Sequence, residues 1–207
     1  MNRSYGQEVA LLGLTTILLV VILLPPLDPL LETHEGLHHL QHGLALVLGI
    51  GAGWATYQLV ATAAVQAAGR AQTLARNLIV AGRRANPGGY VSLLLAAGLV
   101  VFWHIPFFFN LAVVDDAVHI LEHLSFIIAG AAVGFGLPLM SKWTRLGAVL
   151  VTVFSALFLS VILVVFELHV YQVYPREHEL IFGVAMIYAM MPLMILVVYR
   201  FLVEQVS

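Results

Sequence analysis

Long apolar runs constrain the fold of this chain more than any other feature. A helix needs about 20 apolar residues to cross a bilayer, and six runs of that kind can be counted, at 9–27, 37–65, 90–113, 117–140, 146–168 and 180–203. Because lipid cannot satisfy exposed backbone groups, such runs fold as helices. We therefore predict an all-α, polytopic transmembrane helix bundle of about six spans, forming a single membrane domain over residues 1–207.

Composition agrees with this prediction. The 207 residues are 61% hydrophobic and 10% charged, whereas soluble domains carry roughly 25% charged residues. The chain contains no cysteine, which excludes disulfides, thiolate metal sites and thiol redox chemistry. We expect a multi-pass protein of the plasma membrane.

The basic residues predict how the spans are oriented. Eight of the nine fall on one side, which the positive-inside rule makes cytoplasmic, and both termini lie on that side. They are Arg3, Arg70, Arg76, Arg83, Arg84, Lys142, Arg145 and Arg200, with Arg176 as the exception. We interpret the arginine-rich segment 69–86 as a basic loop, with or without a helix lying on anionic lipid. No aromatic residues alternate with these charges, so we expect no nucleic-acid partner.

All nine histidines fall at the opposite, outer side, on or beside four different spans, so one shared site in the outer leaflet is expected. His38 and His42 are four residues apart and share a helical face, as do His119 and His123. His104 lies about eight residues, or roughly 12 Å, below the end of its span, where an ionisable group without a partner is costly.

These positions give the predicted site. The metal ligands are His38, His42, His104, His119 and His123. Gln41 and Glu122 are expected to accept hydrogen bonds that fix the imidazole tautomers, and Met186 is expected to offer a thioether. Three other histidines at helix ends, His34, His39 and His178, are interpreted as ordinary hydrated residues.

Two strings match zinc-protease signatures. The first is H-E-x-x-H from His34 to His38, and the second is the inverted form H-x-x-E-H from His119 to His123. An intramembrane protease needs a further acidic ligand from a separate helix, and the nearest look-alike, "NPGG" at 86–89, lacks that acid and lies on the cytoplasmic side. An outer-face zinc metalloprotease therefore stays a minor alternative.

Three strings resemble the motifs of one family. "HHLQH" at 38–42, "WHIP" at 103–106 and "HILEHLSF" at 119–126 are similar, in order and spacing, to those of the CtaG-type cytochrome c oxidase assembly proteins. The resemblance implies a metal-binding membrane protein that assists assembly or metallation of a haem–copper oxidase. Its partner would be an oxidase subunit or another respiratory membrane complex, and its mechanism would be transfer and not catalysis.

Residue type does not choose the metal, since imidazole suits copper, zinc and iron. Cu(I) is favoured because histidine holds it at low coordination number. We expect a labile site of His42, His104 and His123, with His38 and His119 as entry ligands. The main rival is a b-type haem electron-transfer subunit linked to quinol, in which His42, His104 and His123 are the candidates for axial ligands.

Overall fold

The fold is entirely helical in the described part of the chain. The structure is a computed structural model and describes residues 3–23, 30–166 and 169–206, among which there is no strand. The helices are α1 Arg3–Leu23, α2 Glu35–Gln66, α3 Gly69–Ala85, α4 Tyr90–Trp103, α5 Pro106–Val114, α6 Asp116–Gly136, α7 Lys142–Val165 and α8 Arg176–Val206. The all-α prediction is therefore confirmed. The predicted ends of the first and fifth spans, 24–27 and 167–168, lie outside these residues.

The helices have the lengths and composition of membrane spans. Five of them, α1, α2, α6, α7 and α8, are long and apolar enough to cross a bilayer. A sixth span results if α3 and the segment Pro87–Trp103, which are bent by 55° at a short break, cross as one. The protein is thus a polytopic helical membrane protein, and the predicted basic loop at 69–86 is mostly helix.

The predicted third span, 90–113, is two helices and not one. α4 ends at Trp103 and α5 begins at Pro106, with Ile105 between them in an extended conformation (φ −67°, ψ 125°). Proline lacks an amide hydrogen, and its ring clashes with the carbonyl four residues earlier. That carbonyl, of Phe102, accepts a hydrogen bond from the amide of Ile105 instead, at 3.2 Å. The span predicted as continuous is therefore completely broken before Pro106.

Glycines bring α2 and α6 into direct backbone contact. A Cβ atom at Gly53 of α2 would lie 2.0 Å from the carbonyl oxygen of Ala131, and one at Gly134 of α6 would lie 2.0 Å from that of Ile50. No larger residue fits at either position without separating the helices, which is how small residues bring membrane helices together. This contact fixes the distance between the side chains that the two helices present at the next turns.

The basic residues of two connections lie at one end of the bundle. Gly89, before α4, faces the side chain of Met140, which follows α6. The Tyr90 hydroxyl lies 3.3 Å from that of Thr144 at the start of α7. The connections that carry Arg83, Arg84, Lys142 and Arg145 are therefore neighbours.

The terminal helices also point to this end. The ring of Trp143 lies 4.8 Å from that of Phe201, so the C-terminal part of α8 is beside the basic connections. α1 runs antiparallel to α2, because Gln41 contacts Ile22 near the end of α1, where its amide donates to the carbonyl at 2.9 Å, whereas the later residue Gly51 faces the earlier residue Thr15. The N-terminal part of α1 consequently lies at the same end, and the histidines of α2 and α6 lie at the opposite one.

Candidate metal centre

Two pairs of histidines face each other across the contact between α2 and α6. His38 and His42 of α2 are buried, with ring centroids 4.3 Å apart. His119 and His123 of α6 are buried as well, with centroids 4.1 Å apart. Each pair is separated by one helical turn, so both members project from the same face.

The ring distances between the two pairs are only about 1 Å longer than those within them. The centroids of His42 and His123 are 5.1 Å apart, and those of His38 and His119 are 5.5 Å apart. Four of the five predicted metal ligands thus form one compact group. Because the imidazoles nearly touch, a porphyrin could enter between them only if the helices separated.

Glu122 lies within this histidine group. Its Oε2 atom is 3.4 Å from Nε2 of His42 and 3.7 Å from Nε2 of His38. Both distances exceed the usual 2.7–3.2 Å of a hydrogen bond, whereas two ligands of a tetrahedral ion with bonds of about 2.1 Å are roughly 3.4 Å apart. One ligand atom from each of the three residues lies within 4.8 Å of the others. Oε2 of Glu122 is therefore too far from both nitrogens for a normal hydrogen bond, and the three residues could hold an ion between them.

The polar atoms of these three residues have no other partner among the described residues. Both ring nitrogens of His38 and of His42 and both carboxyl oxygens of Glu122 are buried without a hydrogen bond. An unsatisfied buried group costs about 1–3 kcal/mol, so a shared ion would relieve several such costs at once. The side chains present fit a metal ion with two nitrogen ligands and one oxygen ligand. The sequence predicts that Glu122 only accepts hydrogen bonds from the ligating imidazoles. Its spacing from His119 and His123, however, puts all three side chains on one helical face.

The outer rim of the group is marked by an acidic residue that the motifs did not include. Glu32, in the turn before α2, is 30% exposed, and its Oε1 lies 2.6 Å from Nε2 of His119. His119 is 8% exposed at its side chain. This contact is where the buried group reaches solvent.

The structure places His104 beside His39 and outside the compact group. His104 follows the last residue of α4, is half-buried, and its ring centroid is 5.2 Å from that of His39. His39 lies between the rings of Phe109 and Phe182, at 5.0 and 4.4 Å. The prediction of a hydrated helix end therefore does not describe His39, whose ring has aromatic neighbours on both sides.

The two remaining predicted positions have different surroundings. Gln41 is fully buried, and its amide donates to the carbonyl of Ile22, which ties α1 to α2. Met186 is half-buried on α8, one turn beyond Phe182, whose ring packs against His39. A thioether contact from Met186 stays a prediction.

A connecting segment covers the outer side of the cluster. Glu179 of α8 accepts hydrogen bonds from the amides of Val170, at 3.1 Å, and of Tyr171. The Tyr171 hydroxyl donates to the carbonyl of His104 at 3.3 Å. Burial, followed by nearby carboxyl groups, raises the pKa of Tyr171 and of Tyr174, so both hydroxyls keep their protons. Glu179 is 1% exposed, and no local pattern in the sequence marks its role.

The two histidines of the zinc-protease signature at the start of α2 do not lie in the same cluster. His34 precedes the helix with an extended backbone, φ −136° and ψ 132°. Its ring packs on that of His178, at 4.0 Å, while His38 faces His42 and Glu122. The two histidines of the string H-E-x-x-H thus belong to different clusters.

The fold and this site define a class: a polytopic helical membrane protein with a buried cluster of histidine and glutamate that is able to hold a metal ion. Residues 14–204 match the family described as Protein of unknown function (DUF1404), and the chain belongs to that family. Neither a curated protein nor a solved structure matches it.

Proposed function

We propose that this protein binds copper between α2 and α6, at the outer face of the plasma membrane, and assists the assembly or metallation of a haem–copper oxidase. The observation that carries the proposal is the group His38, His42 and Glu122, whose buried ligand atoms lie within 4.8 Å of one another. The resemblance of three sequence motifs to those of the CtaG-type assembly proteins supports the choice of copper and of the oxidase.

The ligand set bears on the charge of the ion. Glu122 contributes a hard oxygen ligand and a negative charge, which suit a divalent ion better than Cu(I). Copper at this position would therefore be Cu(II), and zinc is the rival metal. The ion would also compensate a carboxylate that is otherwise buried at large cost.

The arrangement of the histidines supports transfer of the ion. Glu32 and His119 lie at the rim, and the rings of His119, His38 and His42 follow one another at 5.5 and 4.3 Å. An ion exchanging one ligand at a time could pass along this series without becoming uncoordinated. The partner would receive it at the rim, beside Glu32.

Complementation tests the assembly role. Cells that lack this protein should assemble an oxidase with reduced copper content and activity. Wild-type protein and His178→Ala should restore both, whereas His42→Ala should not, because His178 is outside the group and His42 is inside it. Full copper content in the oxidase of cells lacking the protein would contradict the role. A Soret band in the purified protein would favour the haem subunit instead.

A further inference from the structure

We propose a second metal site, formed by His39 of α2 and by His104 at the end of α4, that holds one Cu(I) ion between their Nε2 atoms. It goes beyond the proposed function because it uses none of His38, His42 and Glu122. It stands whether the first site holds copper, zinc or no metal.

Hydrogen bonds fix the tautomer of both imidazoles. Nδ1 of His39 lies 3.0 Å from the carbonyl oxygen of Glu35, and Nδ1 of His104 lies 2.7 Å from that of Val100. A carbonyl oxygen only accepts, so each Nδ1 must carry the proton, and each neutral ring presents its lone pair at Nε2. Metal-binding histidines are typically held in this way, by donation from the other ring nitrogen.

The separation of the two rings fits an ion between them. With metal–nitrogen bonds of about 2.0 Å, an ion in line with both lone pairs lies about 3 Å from each ring centroid, so the centroids are about 6 Å apart when the two bonds are collinear and closer, as here, when they are bent. The observed centroid distance is 5.2 Å. Nε2 of His39 is buried and has no hydrogen-bond partner in the part of the chain that the structure describes.

The surroundings select a soft monovalent ion. The ring of His39 is flanked by Phe109 and Phe182, and the site offers two neutral nitrogen ligands. Zn²⁺ takes four ligands in most protein sites, whereas histidine can hold Cu(I) at low coordination number.

A second pair of histidines shows that close rings alone do not make such a site. His34 and His178 lie 4.0 Å apart, closer than His39 and His104. His34 is exposed, however, and Nδ1 of His178 has no hydrogen bond to any described residue. No carbonyl fixes the lone pair of His178, so this pair provides a matched control.

The test is an anaerobic titration of the purified full-length protein with Cu(I) against a chromophoric Cu(I) chelator. His39→Gln and His104→Gln should each lose one tightly bound Cu(I) per chain, whereas His178→Gln should lose none. The triple variant His38→Ala, His42→Ala, Glu122→Gln should keep one Cu(I). X-ray absorption of that ion should show two nitrogen ligands and no oxygen ligand.

The outcomes separate the two sites. If His39→Gln and His104→Gln bind as many Cu(I) ions as the wild type, the second site is overturned whatever the triple variant does. If the triple variant loses divalent metal and keeps its Cu(I), both sites stand. If wild-type protein binds no divalent metal but loses Cu(I) on His104→Gln, the first site fails and the second remains. Should the triple variant not fold, the single variants decide.

Discussion

Glu122 connects the two helices of the candidate metal centre, because its side chain extends from α6 to the histidines of α2. It comes from α6, yet its carboxyl oxygen lies 3.4 and 3.7 Å from imidazole nitrogens of α2. A buried carboxylate without a hydrogen bond is unfavourable unless a cation or a proton compensates it. The role of Glu122 therefore distinguishes a metal centre from a group of packed polar side chains.

Glu122→Gln preserves the size of this side chain and removes its charge. We expect the affinity for Cu²⁺ or Zn²⁺ to fall by more than about 100-fold, since changes to groups that merely orient a ligand already cost 10–100-fold. Stability of the metal-free protein should stay equal or rise, because a buried charge has been removed. Isothermal titration and thermal unfolding measure the two effects. Unchanged affinity would show that Glu122 is not a ligand.

At the scale of helices, the glycine contact between α2 and α6 determines the geometry of the site. Gly49 and Gly53 face α6, and Gly130 and Gly134 face α2. The contact begins less than two turns after His42, so separation of the helices would move Glu122 away from the imidazoles of α2. The same residues that pack the helices thus hold the ligands in place.

Gly53→Ala tests this coupling. Its Cβ would lie 2.0 Å from a carbonyl oxygen of α6, and overpacking of this kind costs typically 1–3 kcal/mol. We expect a lower unfolding temperature together with weaker metal binding. Gly43→Ala on the same helix is the matched control, since no atom lies within 4 Å of its Cβ position, and it should change neither property. Equal behaviour of the two variants would show that the contact does not support the site.

The elements of the fold could largely be predicted from the sequence, because apolar runs determine them locally, and the main exception is the break of the third span before Pro106. The pairs at i and i+4 were also predictable, since helical geometry alone puts His38 beside His42. The proximity of His104 to His39, by contrast, follows from how α4 ends at the break before Pro106. The contact of Glu179 with the backbone of Tyr171, eight residues earlier, depends on the irregular connection before α8, which no periodic pattern in the sequence encodes.

For the whole molecule, the basic residues of the connections and the histidines of the candidate metal centre lie at opposite ends. The basic connections and both terminal helices reach one end, and the histidines of α2 and α6 lie at the other. Positive charge is retained on the cytoplasmic side of membrane proteins. This asymmetry predicts that any metal exchanged at the site enters and leaves from the outside.

Reporter fusions test that orientation. A reporter at Asn86, in the basic connection between α3 and α4, should be cytoplasmic, and one at Asp115, between α5 and α6, should be external. An alkaline phosphatase fusion active only at Asp115, paired with a fluorescent protein bright only at Asn86, is the expected pattern. A cytoplasmic signal from Asp115 would reverse the orientation and remove the outer-face site.

Metal content after purification tests the central claim most directly, that His38, His42 and Glu122 together hold a metal ion. Once a chelator has removed any Cu(I) from the second site, wild-type protein should contain close to one divalent copper or zinc ion per chain by elemental analysis, with no Soret band in its absorption spectrum. His42→Ala should lose that ion. Glu35→Gln should keep it, because Glu35 belongs to the protease signature and not to the group. A wild-type protein without stoichiometric metal, or a His42→Ala variant that keeps it, would contradict the account.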